Sequence, residues 1–134
     1  MNKRKSNEVS FKLPEGGYKG TINARGFALT LDEPEDQGGT NQGMTPMDAL
    51  ASALAGCIGI TLRMYADRKE WKTGEIFVEI YSIKNDNNEL EFHKNISFEN
   101  DEKLTKEQKQ RLYEISSKCP VSKVIQAANP VILD

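Results

Sequence analysis

The chain is poor in the residues that usually carry chemistry: 134 residues contain one histidine, one tryptophan and two cysteines. A lone histidine, His93, leaves no His/Cys ligand set for zinc, and no Ser-His-Asp triad unless His93 is itself the base. It sits in an alternating stretch, Glu89-Leu-Glu-Phe-His-Lys-Asn-Ile, and reads as a strand-face residue. Neither a metal nor a cofactor is expected. Positive charge is not in excess either: 18 Lys and Arg stand against 20 Asp and Glu, for a net charge of -2. The electrostatic footprint of a nucleic-acid binder is therefore missing. Lys3, Arg4 and Lys5 lie beside Glu8 and read as part of a solvated tail, residues 1–7. No apolar stretch follows them, so no signal peptide is expected. The longest nearly apolar run, residues 49–62, is broken by Ser52 and Thr61 and is short for a bilayer. These absences predict a cytoplasmic protein, without nucleic-acid or membrane partners, whose cysteines are kept reduced.

What is present fits one domain spanning residues 1–134. A chain of this length buries roughly two thirds of its unfolded surface. Yet the hydrophobic fraction is only 37% and the mean hydropathy -0.61. Either much of the surface is charged, or part of the apolar surface is buried between subunits.

Residues 9–13 alternate as a half-buried strand does, Pro14-Glu15-Gly16-Gly17 marks a turn, and residues 18–24 and 27–31 continue an antiparallel meander. Residues 32–44 form a polar loop without apolar periodicity, a length that is uncommon and often functional. Thr45 then supplies an N-cap, Pro46 suits the first helical position and Asp48 the capping-box acid, opening a helix to about Lys69. Leu50, Ala53, Leu54, Cys57, Ile60, Thr61 and Met64 are expected on one face. Ala49, Ala51, Ser52, Ala55, Gly56 and Gly59 keep the rest of its first half small and nearly uncharged. A helix apolar on all sides is buried on all sides. One small monomer can hardly wrap it, so the helix is expected at the centre of a dimer, beside its symmetry mate.

Residues 75–83 and 89–98 alternate around Asn85-Asp86-Asn87-Asn88 and predict a hairpin. Residues 104–118 predict a helix with Leu104, Leu112 and Ile115 inward. A short helix starts at Cys119-Pro120 and ends near Ala128, and residues 131–133 read as a last strand. No repeat is visible. The sum is an α+β domain with antiparallel sheets around one long buried helix.

Two cysteines remain. Cys57, inside the apolar helix, stands where a cysteine commonly packs as a small hydrophobe with a raised pKa. Cys119 precedes Pro120 at a helix start, where unsatisfied N–H groups favour a thiolate, and Lys118 and Lys123 are close by in sequence. Local chemistry therefore makes Cys119 the more acidic thiol. A disulfide between the two requires Cα atoms within about 7 Å, which spacing alone leaves open.

The stretch Asp32-Glu33-Pro34, Gly38-Gly39, Gly43-Met44-Thr45-Pro46-Met47-Asp48-Ala49-Leu50 and Leu54-Ala55-Gly56-Cys57 resembles the OsmC/Ohr family, as does Arg111-Leu112 followed by Lys118-Cys119-Pro120-Val121-Ser122-Lys123. The resemblance covers most of residues 9–133. It implies an intertwined homodimer with active sites at the subunit interface and, for many members, thiol-dependent reduction of organic hydroperoxides. Cys57 matches the peroxidatic cysteine and Cys119 the resolving one, reversing the roles that local chemistry assigns, with a dithiol such as a lipoylated protein as reductant. Peroxidases of the family stabilise the thiolate with an arginine near the first strands. Here Gly16-Gly17-Tyr18-Lys19-Gly20 has none, so Lys19 or Arg25 is left to supply charge. Arg63, six helical positions from Cys57, faces elsewhere. Asp48 is the acid nearest the family's pattern, nine positions and about 180° of helix from Cys57. A branch that binds a small apolar ligand without turnover is the alternative the resemblance leaves open.

Overall fold

The computed structural model describes residues 5–134. Of the expected tail, residues 1–4 lie outside the described residues; Lys5, Ser6 and Asn7 are exposed and belong to no helix or strand. The described residues form two compact units, one ending at Leu50 and the other Ala51–Asp134.

The first unit is an antiparallel sheet in the order β1 (Ser10–Lys12), β2 (Gly20–Ala24), β3 (Phe27–Leu31). Phe11 faces Ile22, and Ile22 faces Leu29. The first two strands of the expected meander are shorter than alternation suggested, because Gly16 and Gly17 between them take positive φ values (83° and 98°) and the chain is turning where the pattern still alternates, whereas β3 forms over the expected residues. The β2–β3 turn is made by Arg25 and Gly26, both left-handed (φ 52° and 86°), as a two-residue hairpin requires. After β3 the loop is organised by one buried carboxylate. Asp32 accepts from the backbone N–H of Glu33 (2.7 Å) and Gln42 (3.1 Å), from that of Thr40, and from the Thr40 hydroxyl (2.5 Å). These bonds hold its carboxyl at about 2, the Thr40 hydroxyl contributing most. The expected N-terminus of α1 (Pro46–Lys69) is present: Thr45 N–H donates to Asp48 Oδ2 and Asp48 N–H to Thr45 Oγ1, each at 3.0 Å.

The rest of α1 belongs to the second unit. Leu54, Ile58, Leu62 and Ala66 recur every four residues and form one buried ridge. This corrects the expected face: Ile60 and Met64 are 59% and 62% exposed. A helix that is apolar nearly all round offers no polar side by which the sequence can orient it, and contacts with other elements choose the stripe. Within the chain α1 is thus not buried on all sides. At 24 residues it also passes a length and composition test for a membrane span. Its buried ridge, however, is committed to a protein core shared with Phe98, Leu104, Leu112, Ile115 and Cys119.

The hairpin β4 (Ile76–Lys84) and β5 (Leu90–Phe98) pairs Ile76 with Phe98 through to Lys84 with Leu90. Its turn is built on Asn85, whose Oδ1 accepts from the N–H groups of Asn87 (2.9 Å) and Glu89 (3.0 Å). Helix α2 (Lys106–Ser116) starts later than residue 104, because Thr105 and Gln108 form a capping box there; Leu104 is still buried just before it. Helix α3 (Pro120–Ile125) is one short turn and a half and ends before the expected Ala128. The expected last strand is not formed: Val131 and Leu133 are 99% and 97% exposed, in no secondary structure. A strand needs an edge to pair with, and propensity alone does not supply one.

Candidate active site: two free thiols

Both cysteines lie in the second unit, and both are free thiols. Helix α1 carries Cys57 on the flank of its buried ridge, half-buried and packed against the core. Cys119 is the N-cap of α3, extended at φ -68° and ψ 140°, with its Sγ accepting from the N–H of Ser122 at 3.3 Å. It is wholly buried. Cys57 is close enough to act on the ionisation of Cys119 as a hydrogen-bonding and electrostatic neighbour.

Burial pushes the Cys119 thiol up, and the Cys57 thiol adds to this; the Ser122 N–H and the ammonium of Lys94 pull it down without reversing the shift. The expected lowering of the Cys119 thiol by its helix start is therefore outweighed by burial. Its position at a helix start was legible, but the desolvation that outweighs it arises from packing among Leu112, Ile115 and the ridge of α1.

The remaining candidates have local partners. Lys19 donates to Gln42 Oε1 at 2.6 Å, and the N–H of Gln42 is one of the donors to Asp32, so Lys19 is tied to the organised loop. Arg25 lies over the ring of Phe27, 5.6 Å from its centroid. Asp48 caps its own helix through Thr45. All three belong to the first unit. In the second unit Arg63 donates to Thr73 Oγ1 (3.1 Å) and to the carbonyl of Gly74 (2.7 Å). His93 stacks on Tyr81 (centroids 4.9 Å apart) and meets Glu91 Oε2 at 3.0 Å, a strand-face arrangement that also holds the Glu91 carboxyl below its ordinary value.

Two features were missed by sequence reasoning. An open groove of about 500 Å³ runs between α1 and β4, lined by Gly56, Gly59, Ile60, Ile76 and Val78 with Arg63 at its edge. A Cβ on Gly56 would meet nothing within 4 Å, so the bare helix backbone forms part of its floor. The other is Lys94, the cation acting on Cys119. Its signal was available: in Phe92, Lys94, Ile96 and Phe98 a charge interrupts an otherwise apolar strand face.

A family model described as OsmC-like protein matches residues 39–134. No curated protein sequence matches the chain. Among solved structures, a Psychrobacter arcticus 273-4 protein proposed to act in the osmotic stress induced and detoxification response superposes with a TM-score of 0.76 at 22% identity, covering 94% of this chain and 91% of that one. An OsmC-like protein from Mycoplasma pneumoniae gives 0.71 at 22%, over 92% and 89%. The organic hydroperoxide resistance protein OhrB of Bacillus subtilis gives 0.61 at 20%, over 92% of each chain. At these identities the likeness establishes a shared fold.

Proposed function

The chain belongs to the OsmC-like protein family, and from that premise we propose that it is a cytoplasmic thiol-dependent peroxidase for organic hydroperoxides, with Cys57 peroxidatic and Cys119 resolving. The observation that carries the reading is the meeting of two free thiols of unequal burial. The half-buried Cys57 is the one a substrate can reach; the enclosed Cys119, held protonated by burial, suits the second step. In the first step Cys57 sulfur attacks the outer peroxide oxygen: an S–O bond forms, the O–O bond breaks, and the alcohol leaves with a proton. In the second, Cys119 sulfur displaces water from the sulfenic acid and forms a disulfide. An external dithiol, of lipoyl type, returns two electrons and two protons. Lys19 and Arg25 are the cations, and Asp48 the acid, proposed to complete the site in an intertwined homodimer of single-domain subunits. The name carried by the Bacillus subtilis neighbour supports the substrate class.

Thiol counting tests the cycle. One equivalent of cumene hydroperoxide should consume both thiols of each chain without intermolecular crosslinks. Retention of both thiols would reject it. The groove beside α1 favours a second reading, a dimer that holds a small apolar ligand without turnover. Thermal stabilisation by fatty acids, with no peroxide consumption, would select that reading.

A further inference from the structure

The face of β5 turned to the core carries Phe92, Ile96 and Phe98, and Lys94 lies in the same row. Across the hairpin Lys94 is paired with Ile80, itself packed against the core. A charge in such a row is costly unless it stays wet or finds a partner. Lys94 does both: it is exposed, and its Nζ donates to Ser117 Oγ at 3.1 Å. Ser117 is the C-cap of α2, and a single residue, Lys118, separates it from Cys119. The ammonium is thereby anchored at the junction of α2 and α3 from which Cys119 is hung.

We infer that Lys94 is a positioning residue of the thiol pair, holding a positive charge at this junction so that Cys119 can release its proton and attack oxidised Cys57. The inference rests on the two-cysteine reading above. In the step concerned, Cys119 gives up its proton and its sulfur bonds to the sulfenic sulfur of Cys57; the S–O bond breaks, and the departing hydroxide takes up a proton and leaves as water. The groups that act on Cys119 from the elements packed against it are the Cys57 thiol on α1, which opposes ionisation, and Lys94 on β5, which assists it. A cation at the C-terminal end of α2 also favours that helix electrostatically. A purely structural role of that kind would move the melting temperature and leave the thiol titration alone.

Two measurements separate these roles. In a Cys57→Ser background, thiolate absorbance in the ultraviolet reports the titration of Cys119 alone. Lys94→Gln should raise the apparent pKa by about 0.5 units, roughly a threefold loss of thiolate near neutral pH, and Lys94→Arg should restore it. In the chain with both cysteines, after one equivalent of cumene hydroperoxide, Lys94→Gln should slow disulfide formation about threefold at neutral pH, recover at alkaline pH, and leave sulfenic acid formation unchanged. An unchanged titration in a folded Lys94→Gln protein overturns the inference. A shifted titration with no disulfide in any variant overturns the peroxidase cycle instead, and leaves the electrostatic link between Lys94 and Cys119 standing.

Discussion

Cys57 and Cys119 are 62 positions apart in the chain and neighbours in the fold, one half-buried on α1 and one sealed at the head of α3. In the proposed cycle the burial difference sets an order of events. The accessible sulfur would meet the substrate first, and the enclosed one, whose thiol is pushed up chiefly by desolvation, would keep its proton until the second step.

Replacing each cysteine should therefore give different losses. Cys57→Ala is expected to abolish consumption of organic hydroperoxide. Cys119→Ala is expected to keep one turnover and then stall, with a sulfenic acid on Cys57 that dimedone captures and mass spectrometry detects. Equal multiple-turnover rates in wild type and Cys119→Ala would refute the resolving role.

Asp32 should make the loop after β3 acid-sensitive. Its carboxyl titrates at about 2 in the fold against 3.8 ordinarily. A depressed carboxylate contributes its stability in full above the ordinary value and loses it as pH falls from there through about 2. Thr40→Val removes the hydroxyl that contributes most. The variant should titrate Asp32 closer to 3.8 by carboxyl NMR. It should also lose less stability on acidification than wild type.

The ridge and the exposed side of α1 should respond differently to substitution. Leu62 is fully buried, so Leu62→Ala should cost about 2–5 kcal/mol in denaturant unfolding. Ile60 is mostly exposed within the chain. Under the proposed pairing of α1 with its copy, Ile60→Glu should leave the subunit's secondary structure intact and shift the protein from dimer to monomer in light scattering. A dimer of unchanged affinity would place the interface elsewhere.

The element order was legible because its signals are local. Thr45, Pro46 and Asp48 announce the start of α1 whatever surrounds them, Asn85 builds its own turn, and alternation over residues 75–98 needs only a sheet with one apolar face. The family motif around Cys57 and Cys119 was legible for the same reason. Which side of α1 is buried was not, since a helix apolar all round carries no direction of its own, and the row Leu54, Ile58, Leu62, Ala66 is selected by Phe98, Leu112 and Ile115. The strand expected at residues 131–133 failed likewise, because apolar residues form a strand only against an edge. The acidity of Cys119 was also a tertiary decision: a helix start favours its thiolate over one turn of chain, but desolvation by distant side chains is stronger. Sequence determined where the sulfurs stand along the helices; packing alone decided that they meet, and that the one at the helix start keeps its proton.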